Sequence, residues 1–277
     1  MFYLINECLL YLKSKKSRKM NAKLLFRAVT FLLTFVTFAQ TDLPQDYLTS
    51  EFHKERRELL RKSMPANSVA VFFANPVRNR ANDVDYVYHQ DPNFMYLTGY
   101  NETNTVLLVF SDEQINGDNS FNELIYVQKR DEFKEMWYGR RLGVERVGSE
   151  LGFANAYNGE DFKNIPVDFS TFDKVLFKDF FNDVRDDEND AADLYSLIEQ
   201  FKTKVSYEAL PVQLPAGEKI VESKSNIDVE SLHKLMASLR EIKTKEELVL
   251  LKKACEISAI GQIEIMKVMH PGMSEAE

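Results

Sequence analysis

Two segments of the chain concentrate the residues that could do chemistry. Residues 78–102 hold five aromatic side chains beside a group of charged ones, and residues 130–143 contain Trp137, the only tryptophan of the sequence. Trp137 and its neighbour Tyr138 are followed closely by two arginines. Aromatic rings beside guanidinium groups suit a surface that stacks on a ligand or hydrogen-bonds a partner. The alternative is an aromatic core with a rim of satisfied charges, and residue types alone favour that alternative.

The sequence contains no catalytic motif that residue types alone can identify. Its four histidines follow no metal-ligand spacing, and it lacks both the Gly-x-Ser-x-Gly turn of serine hydrolases and the glycine-rich loops that bind nucleotides. Cys255 is the single cysteine beyond residue 40, so a processed chain has no internal disulfide and no zinc site built from cysteines. The acidic run at residues 179–193 lacks the spacing of an EF-hand and is interpreted as a solvated loop that leads into a helix.

Apolar patterns predict an α/β layer arrangement that positions these two segments. Charged amphipathic residues 51–64 predict a helix whose apolar members are Phe52, Leu59, Leu60 and Met64. Short β-branched and aromatic runs predict strands over residues 68–74, 104–110, 123–127 and 174–177. Further helices are expected over residues 144–152 and 190–203. Residues 111–120 are rich in turn formers and predict a loop, and residues 205–225 are expected to be irregular.

The last 50 residues have the character of long helices. Asp228 can cap one helix that runs to about Arg240, and Thr244 with Glu247 forms a capping box that begins another. The second helix carries an apolar stripe formed by Leu248, Leu251, Cys255, Ala259, Ile263 and Met266. Its end is predicted at His270. Such a stripe must pack on something, and a following domain is a more natural partner for it than the preceding one.

Charge is distributed unevenly along the chain. The formal net charge is −8, but residues 1–40 carry seven basic residues against one acid, so the remainder is at −14. An acidic body makes nucleic acid a poor partner. From Met20 a basic start, an apolar run and small Ala39 follow the layout of a secretory signal peptide, which predicts export to the periplasm or medium and no membrane span after cleavage. Met20 is then the expected start of translation. An uncleaved membrane-anchoring helix is the alternative.

The two dense segments resemble the N-terminal domain of the aminopeptidase P family, which are Xaa-Pro aminopeptidases of the pita-bread metallopeptidase class. The first similarity is Asp83-x-x-Tyr86-x-Tyr88-x-Gln90-Asp91-x-x-Phe94-x-Tyr96-Leu97-Thr98-Gly99-Tyr100-x-Glu102, and the second runs from Glu135 through Trp137 to Gly143. Two weaker similarities, Arg240-Glu241-x-Lys243-x-x-x-Glu247 and Pro271-Gly272-Met273-x-Glu275, resemble the opening of the catalytic domain. The sequence departs from the family pattern at His89, Pro92 and Thr103.

This resemblance implies the domain organisation and the fold. Residues 1–40 would be a leader, residues 41–240 the N-terminal domain with its linker helix, and residues 241–277 the beginning of a truncated catalytic domain. The N-terminal domain would be a mixed β-sheet with flanking helices, of the creatinase/aminopeptidase P type, followed by the first helix of a pita-bread α+β domain. The family's metal ligands would lie beyond residue 277.

The resemblance also implies an activity. In the family, two divalent ions, usually manganese (Mn²⁺), hold a hydroxide that attacks the bond before proline and releases the N-terminal residue. Peptides with proline at the second position would be the substrates, and a homo-oligomer, a dimer or tetramer, is implied. The N-terminal domain would contact a neighbouring subunit and close part of its substrate cleft. This chain alone would be inactive.

Two residues match positions that contribute to that cleft, Asp83 and Trp137. A carboxylate can meet a substrate amine, and an indole can cover a proline ring. The structural alternatives are core packing for Trp137, and a turn cap or a partner to Arg80 for Asp83. Two other functions remain open from the sequence: a prolidase, which prefers dipeptides, and a non-enzymatic dimerisation or peptide-binding module.

Overall fold

The structure is a computed structural model that describes residues 48–117, 119–180, 183–207 and 225–277. These residues lie in one compact unit that spans Tyr47–Glu277. The predicted leader, its signal peptide and the start at Met20 fall outside the described residues, as does most of the irregular stretch expected over 205–225. Within the described parts, no helix combines the length and the apolar composition that crossing a membrane requires.

A mixed six-stranded sheet forms the centre of the described residues, in the order β6-β5-β4-β1-β7-β8. The strands are β1 Ser68–Phe73, β4 Val106–Asn116, β5 Asn119–Val127, β6 Ala156–Asn158, β7 Lys174–Phe177 and β8 Ile227–Asp228. Strand β1 pairs antiparallel with β4 and parallel with β7, and β5 pairs parallel with β6. A separate two-stranded ribbon joins β2 Asn79–Ala81 to β3 Val84–Asp85. The expected mixed sheet is confirmed.

Helices cover both faces of this sheet, because its strands alternate buried apolar side chains between two cores. The helices are α1 Ser50–Ser63, α2 Pro92–Thr98, α3 Glu132–Tyr138, α4 Gly143–Leu151, α5 Leu194–Lys204, α6 Ser231–Glu241 and α7 Lys245–Val268. Helices α1, α2 and α6 contribute to one core together with Ala70 and Phe72 of β1. Helix α5 and two short 3-10 turns, Gly159–Asn164 and Phe169–Thr171, contribute to the other core together with Val69 and Val71.

Two expectations about these elements are wrong. Residues 111–120 are not simply a loop, because β4 continues to Asn116 and β5 begins at Asn119. This hairpin arm is mostly exposed, so its strands have polar compositions that resemble a turn. In α1, Leu59 is exposed, whereas His53 and Arg57 are buried with Phe52 and Leu60. Buried polar residues therefore replace one of the expected apolar contacts.

The two C-terminal helices begin as expected. Asp228 accepts hydrogen bonds from the backbone N–H groups of Glu230 and Ser231 at the start of α6. Thr244 and Glu247 form the predicted capping box of α7. Helix α7 has no buried residue among those described, so its apolar stripe is exposed.

Candidate functional site

The two segments that the sequence singled out meet at one cleft of about 560 Å³. The first segment supplies the β2–β3 ribbon and the chain around Tyr88 and Glu102. The second supplies the end of α3 and the two arginines that follow it, Arg140 and Arg141. The acidic loop before α5 forms a third wall, which includes Asp187 and Asp190. The sequence had assigned this loop to solvent only.

The first wall of the cleft is fixed by the side chain of Gln90, which is buried. Its Oε1 accepts hydrogen bonds from the backbone N–H groups of Asn75 at 3.0 Å and Asp91 at 2.9 Å. Its Nε2 donates to the carbonyl oxygens of Tyr100 at 3.2 Å and Glu102 at 2.8 Å. The hydroxyl of Tyr88 lies 3.0 Å from the same Oε1, and burial raises the pKa of that hydroxyl. One amide thus holds both ends of the segment that surrounds α2.

The second wall is the short helix α3, which polar contacts hold in place. Asp131 caps it by accepting hydrogen bonds from the N–H groups of Phe133 and Lys134. Arg130 makes a two-pronged ion pair with Glu135 at 2.9 Å for each bond, and the hydrogen bonds from Arg130 lower the pKa of Glu135 to about 2. Glu135 therefore stays ionised at neutral pH.

An ion pair closes the cleft on its third side. The Nζ of Lys134 lies 2.7 Å from Oδ2 of Asp190 and so joins α3 to the acidic loop. That hydrogen bond from Lys134 lowers the pKa of Asp190, although burial acts in the opposite direction as the largest single influence. On the far side, Arg78 donates to both the carbonyl oxygen and Oδ2 of Asp183, which fastens the loop to the ribbon segment.

Asp83 lies beside this cleft rather than in its wall. It occupies the turn between β2 and β3, where Ala81 pairs with Val84, and its side chain is exposed. Within the described residues it makes no ion pair with Arg80, which was one of the two structural alternatives for it beside a turn cap. The lining of the cleft includes Asp85 instead.

Trp137 lies on α3, with 75% of its surface exposed. The core-packing alternative is therefore wrong for this residue. It is correct for three aromatic residues of the first segment, Phe94, Tyr96 and Tyr100, which are buried in the sheet's first core. Tyr86 of the same segment is exposed. The residues that line the cleft from α3 are Lys134 and Tyr138, the second of which is next to Trp137. The structure thus places both predicted site residues on elements that border one cleft.

Sequence reasoning gave no role to several residues that build the site. Gln90 and Glu102 were present in the first quoted similarity, so their place in that pattern was the available signal. The contact between Lys134 and Asp190 spans 56 residues of chain and had no local signal. The described residues contain no group of three or more His, Cys, Asp or Glu side chains that could hold a metal ion.

Comparisons with known proteins match this architecture. Residues 53–173 match the family model described as "Aminopeptidase P, N-terminal domain". The chain is 29% identical over 232 residues to the Xaa-Pro aminopeptidase of Haemophilus influenzae and 27% identical over 230 residues to that of Escherichia coli. These matches cover 83% and 81% of this chain and 46% of each relative. The chain thus spans about half the length of these curated relatives.

A solved structure gives the same result. The fold matches aminopeptidase P from E. coli with the inhibitor Pro-Leu at a TM-score of 0.60 and 25% identity, over 82% of this chain and 47% of that one. Residues 53–173 thus match the aminopeptidase P N-terminal domain in sequence, and the fold of the chain matches that of a solved aminopeptidase P.

Proposed function

We propose that this chain is the N-terminal portion of an Xaa-Pro aminopeptidase. The names of the two bacterial relatives support the activity, and the whole activity is a proposal because the chain spans about half of their length. The reaction would be hydrolysis of the bond between an N-terminal residue and a following proline. Two divalent ions, manganese by family resemblance, would supply the nucleophilic hydroxide from ligands outside the described residues.

The role proposed for the described domain is to complete a substrate cleft on a neighbouring subunit. The observation that carries this role is the outward placement of Trp137, because an indole that stabilises the domain's own core would be buried. A large exposed aromatic ring beside a polar cleft is typical of a contact surface for a ligand or partner. Asp83, exposed in the adjoining ribbon turn, would meet the amine of the substrate.

A peptidase assay tests this role on the protein made from its complete gene. With Mn²⁺, cleavage of Xaa-Pro-Yaa peptides is expected, and Trp137→Ala should lower kcat/KM about tenfold or more. Ile115→Ala is the matched control, since Ile115 is about as exposed but lies on the hairpin arm of β4, outside the lining of the cleft. Equal loss in both variants, or unchanged kcat/KM in Trp137→Ala, would contradict the role. The 277-residue chain alone should release no N-terminal residue.

The proposed homo-oligomer uses the same helix. Phe133, Met136, Trp137 and Tyr138 of α3 are all more than two-thirds exposed, and α3 has no buried residue. A second copy of the chain would cover this apolar surface. Sedimentation velocity of the 277-residue chain should show a dimer or tetramer, and Met136→Glu should shift it to the monomer because a buried carboxylate is costly. A monomeric wild-type chain would argue against this contact.

Export is proposed from the leader's sequence alone. Cleavage after the apolar run would leave a mature N-terminus near Thr41. The intact mass of the protein recovered from the periplasm or the medium measures this directly. A protein that remains in the cytoplasm with an intact leader would overturn the proposal.

A further inference from the structure

The carboxylate of Glu102 joins the two segments that border the cleft. Its Oε1 accepts a hydrogen bond from the backbone N–H of Leu142 at 2.8 Å, and its Oε2 accepts one from the hydroxyl of Tyr100 at 2.7 Å. Leu142 lies five residues beyond Trp137, in the connection between α3 and α4. Tyr100 is fully buried in the sheet's first core. The carboxylate therefore links a rigid part of the domain to an exposed one.

The position of Glu102 is itself fixed by the chain around it. Its carbonyl oxygen accepts a hydrogen bond from the buried amide of Gln90. Leu142 precedes α4, which has no other side-chain cap, so the carboxylate lies at the positive end of that helix. A charged acceptor at a helix N-terminus stabilises the exposed N–H groups there. Gln90 thus fixes the backbone of Glu102, and the N-terminus of α4 favours the negative charge of its side chain.

We infer that Glu102 is a positioning residue that sets the orientation of α3 and of Trp137 at the cleft. The N-terminal end of α3 is held by Arg130 and Asp190, through Glu135 and Lys134. At the C-terminal end, the connection after Tyr138 is exposed and gains a direct bond to the buried core through Glu102. In the same connection Arg141 donates to the carbonyl oxygen of Lys129 at 3.1 Å. Loss of the Glu102 bond therefore removes the contact that ties this end of α3 to the buried core. The inference concerns the orientation of Trp137. Only the identity of the molecule that Trp137 contacts rests on the proposed function.

Trp137 is a built-in probe of this orientation, because the chain has a single tryptophan. Glu102→Ala should lower the fluorescence anisotropy of Trp137 and speed the hydrogen exchange of the Leu142 amide at least tenfold, since that N–H loses its acceptor. Glu102→Gln should restore both values nearly to wild type, because an amide oxygen can still accept from Leu142. Glu150→Gln, which breaks an exposed pair with Arg146 on α4, is the matched control and should change neither.

A second variant keeps the inference testable if Glu102→Ala does not fold. Tyr100→Phe removes one of the two bonds and keeps the ring in the core, so it should give a smaller fall in anisotropy. Unchanged anisotropy in both folded variants would overturn the inference and show that Trp137 is held by other contacts. The same variants in the peptidase assay separate the two proposals. Absence of Xaa-Pro cleavage in the wild-type protein contradicts the proposed function and leaves the fluorescence result standing.

Discussion

Helix α1 buries a charged side chain, whereas helix α3 exposes large apolar ones. Helix α1 buries Arg57 completely, whereas α3 leaves Trp137 75% exposed. Both helices begin with a side-chain cap, Thr49 for α1 and Asp131 for α3. The difference lies in what surrounds them. Burial in this domain follows the availability of partners more closely than it follows residue type.

The buried arginine of α1 has a partner for each side of its guanidinium group. Its Nε and Nη2 donate to the two carboxylate oxygens of Glu123 at 2.8 and 3.0 Å, and its Nη1 donates to the carbonyl oxygen of Leu97 at 2.8 Å. The group also lies over the ring of Phe153, 4.0 Å from its centroid. Arg57 thus joins α1 to β5, to α2 and to the loop after α4. It is part of the scaffold that holds the cleft.

Helix α3 is held by ion pairs at the surface, so its apolar side chains are not needed for its own packing. Its contacts to Arg130 and Asp190 are polar and leave Phe133, Met136 and Trp137 outward. Surface ion pairs contribute little to stability. The comparison predicts that α1 substitutions change the free energy of unfolding, whereas α3 substitutions change binding.

Within the comparison of α1 with α3, the largest expected effect comes from Arg57→Ala. Removing one partner of a buried ion pair leaves Glu123 uncompensated, which should lower the free energy of unfolding by about 3 kcal/mol. The nearby Arg61, 3.4 Å from the same carboxylate, keeps the loss at the lower end of the usual range. Urea denaturation measures it. Arg146→Ala, which removes an exposed ion pair on α4, should leave the midpoint unchanged. Similar midpoints for the two variants would refute the contrast.

A second effect tests the packing between α1 and α2. Gly99 ends α2 with φ +69°, and a Cβ at this position would lie 2.7 Å from Nε2 of the buried His53. Gly152 ends α4 with φ +73° and has open space around it. Both alanine variants carry the same backbone strain, of about 1 kcal/mol. Gly99→Ala should lose about 1–2 kcal/mol more than Gly152→Ala, because overpacking forces the imidazole to move. Equal losses in urea denaturation would show that His53 yields freely.

A smaller effect concerns the pH dependence of α1. Burial lowers the pKa of His53, with the nearby Arg57 cation acting in the same direction, although the hydrogen bond from Nδ1 to the carbonyl of Tyr96 opposes the change. The folded state therefore binds this proton less readily than the unfolded state. The stabilisation is complete above the unfolded pKa of about 6.5 and is lost as pH falls below it, by at most about 1.4 kcal/mol per pH unit.

The control for this pH effect is the exposed His233. Between pH 7 and 5, His53→Asn should flatten the dependence of the unfolding free energy on pH, since Asn can keep the bond to Tyr96 but does not titrate. His233→Asn should leave the slope as in the wild type. If His53→Asn keeps the wild-type slope, another group causes the acid sensitivity.

The sequence predicted much of the scaffold, because local apolar patterns carry that information. The strands at residues 68–74 and 174–177 and the capping box at Thr244 appear within a residue or so of where the patterns place them. The sequence did not predict the ion pair between Arg57 and Glu123, because the two residues are 66 positions apart and both residue types are common at a surface. A buried charge can be recognised only when the tertiary contacts that satisfy it are known.

The sequence predicted the segments that form the candidate site but not the contacts within it. The two dense segments do meet at one cleft, but the residues that join them were not identified. Glu102 acts through one bond to a backbone N–H 40 residues away, and a backbone donor has no sequence signature. The exposure of Trp137 also depends on tertiary structure, since the same local sequence suits a core. Family resemblance, not residue type, led us to expect an exposed role for that residue, and its part in a substrate cleft stays a prediction.

The smallest expected effect on stability is that of Trp137→Ala. An aromatic ring that is mostly in solvent loses few contacts when truncated, so the free energy of unfolding should change by less than about 0.5 kcal/mol. Phe201→Ala on α5, which empties a fully buried position, should cost about 3–5 kcal/mol in the same urea titration. A large loss from Trp137→Ala would mean that the indole packs against the domain in solution, and α3 would then be scaffold like α1. A negligible loss, combined with a loss of self-association, would leave contact with another molecule as the reason for an exposed tryptophan at this position.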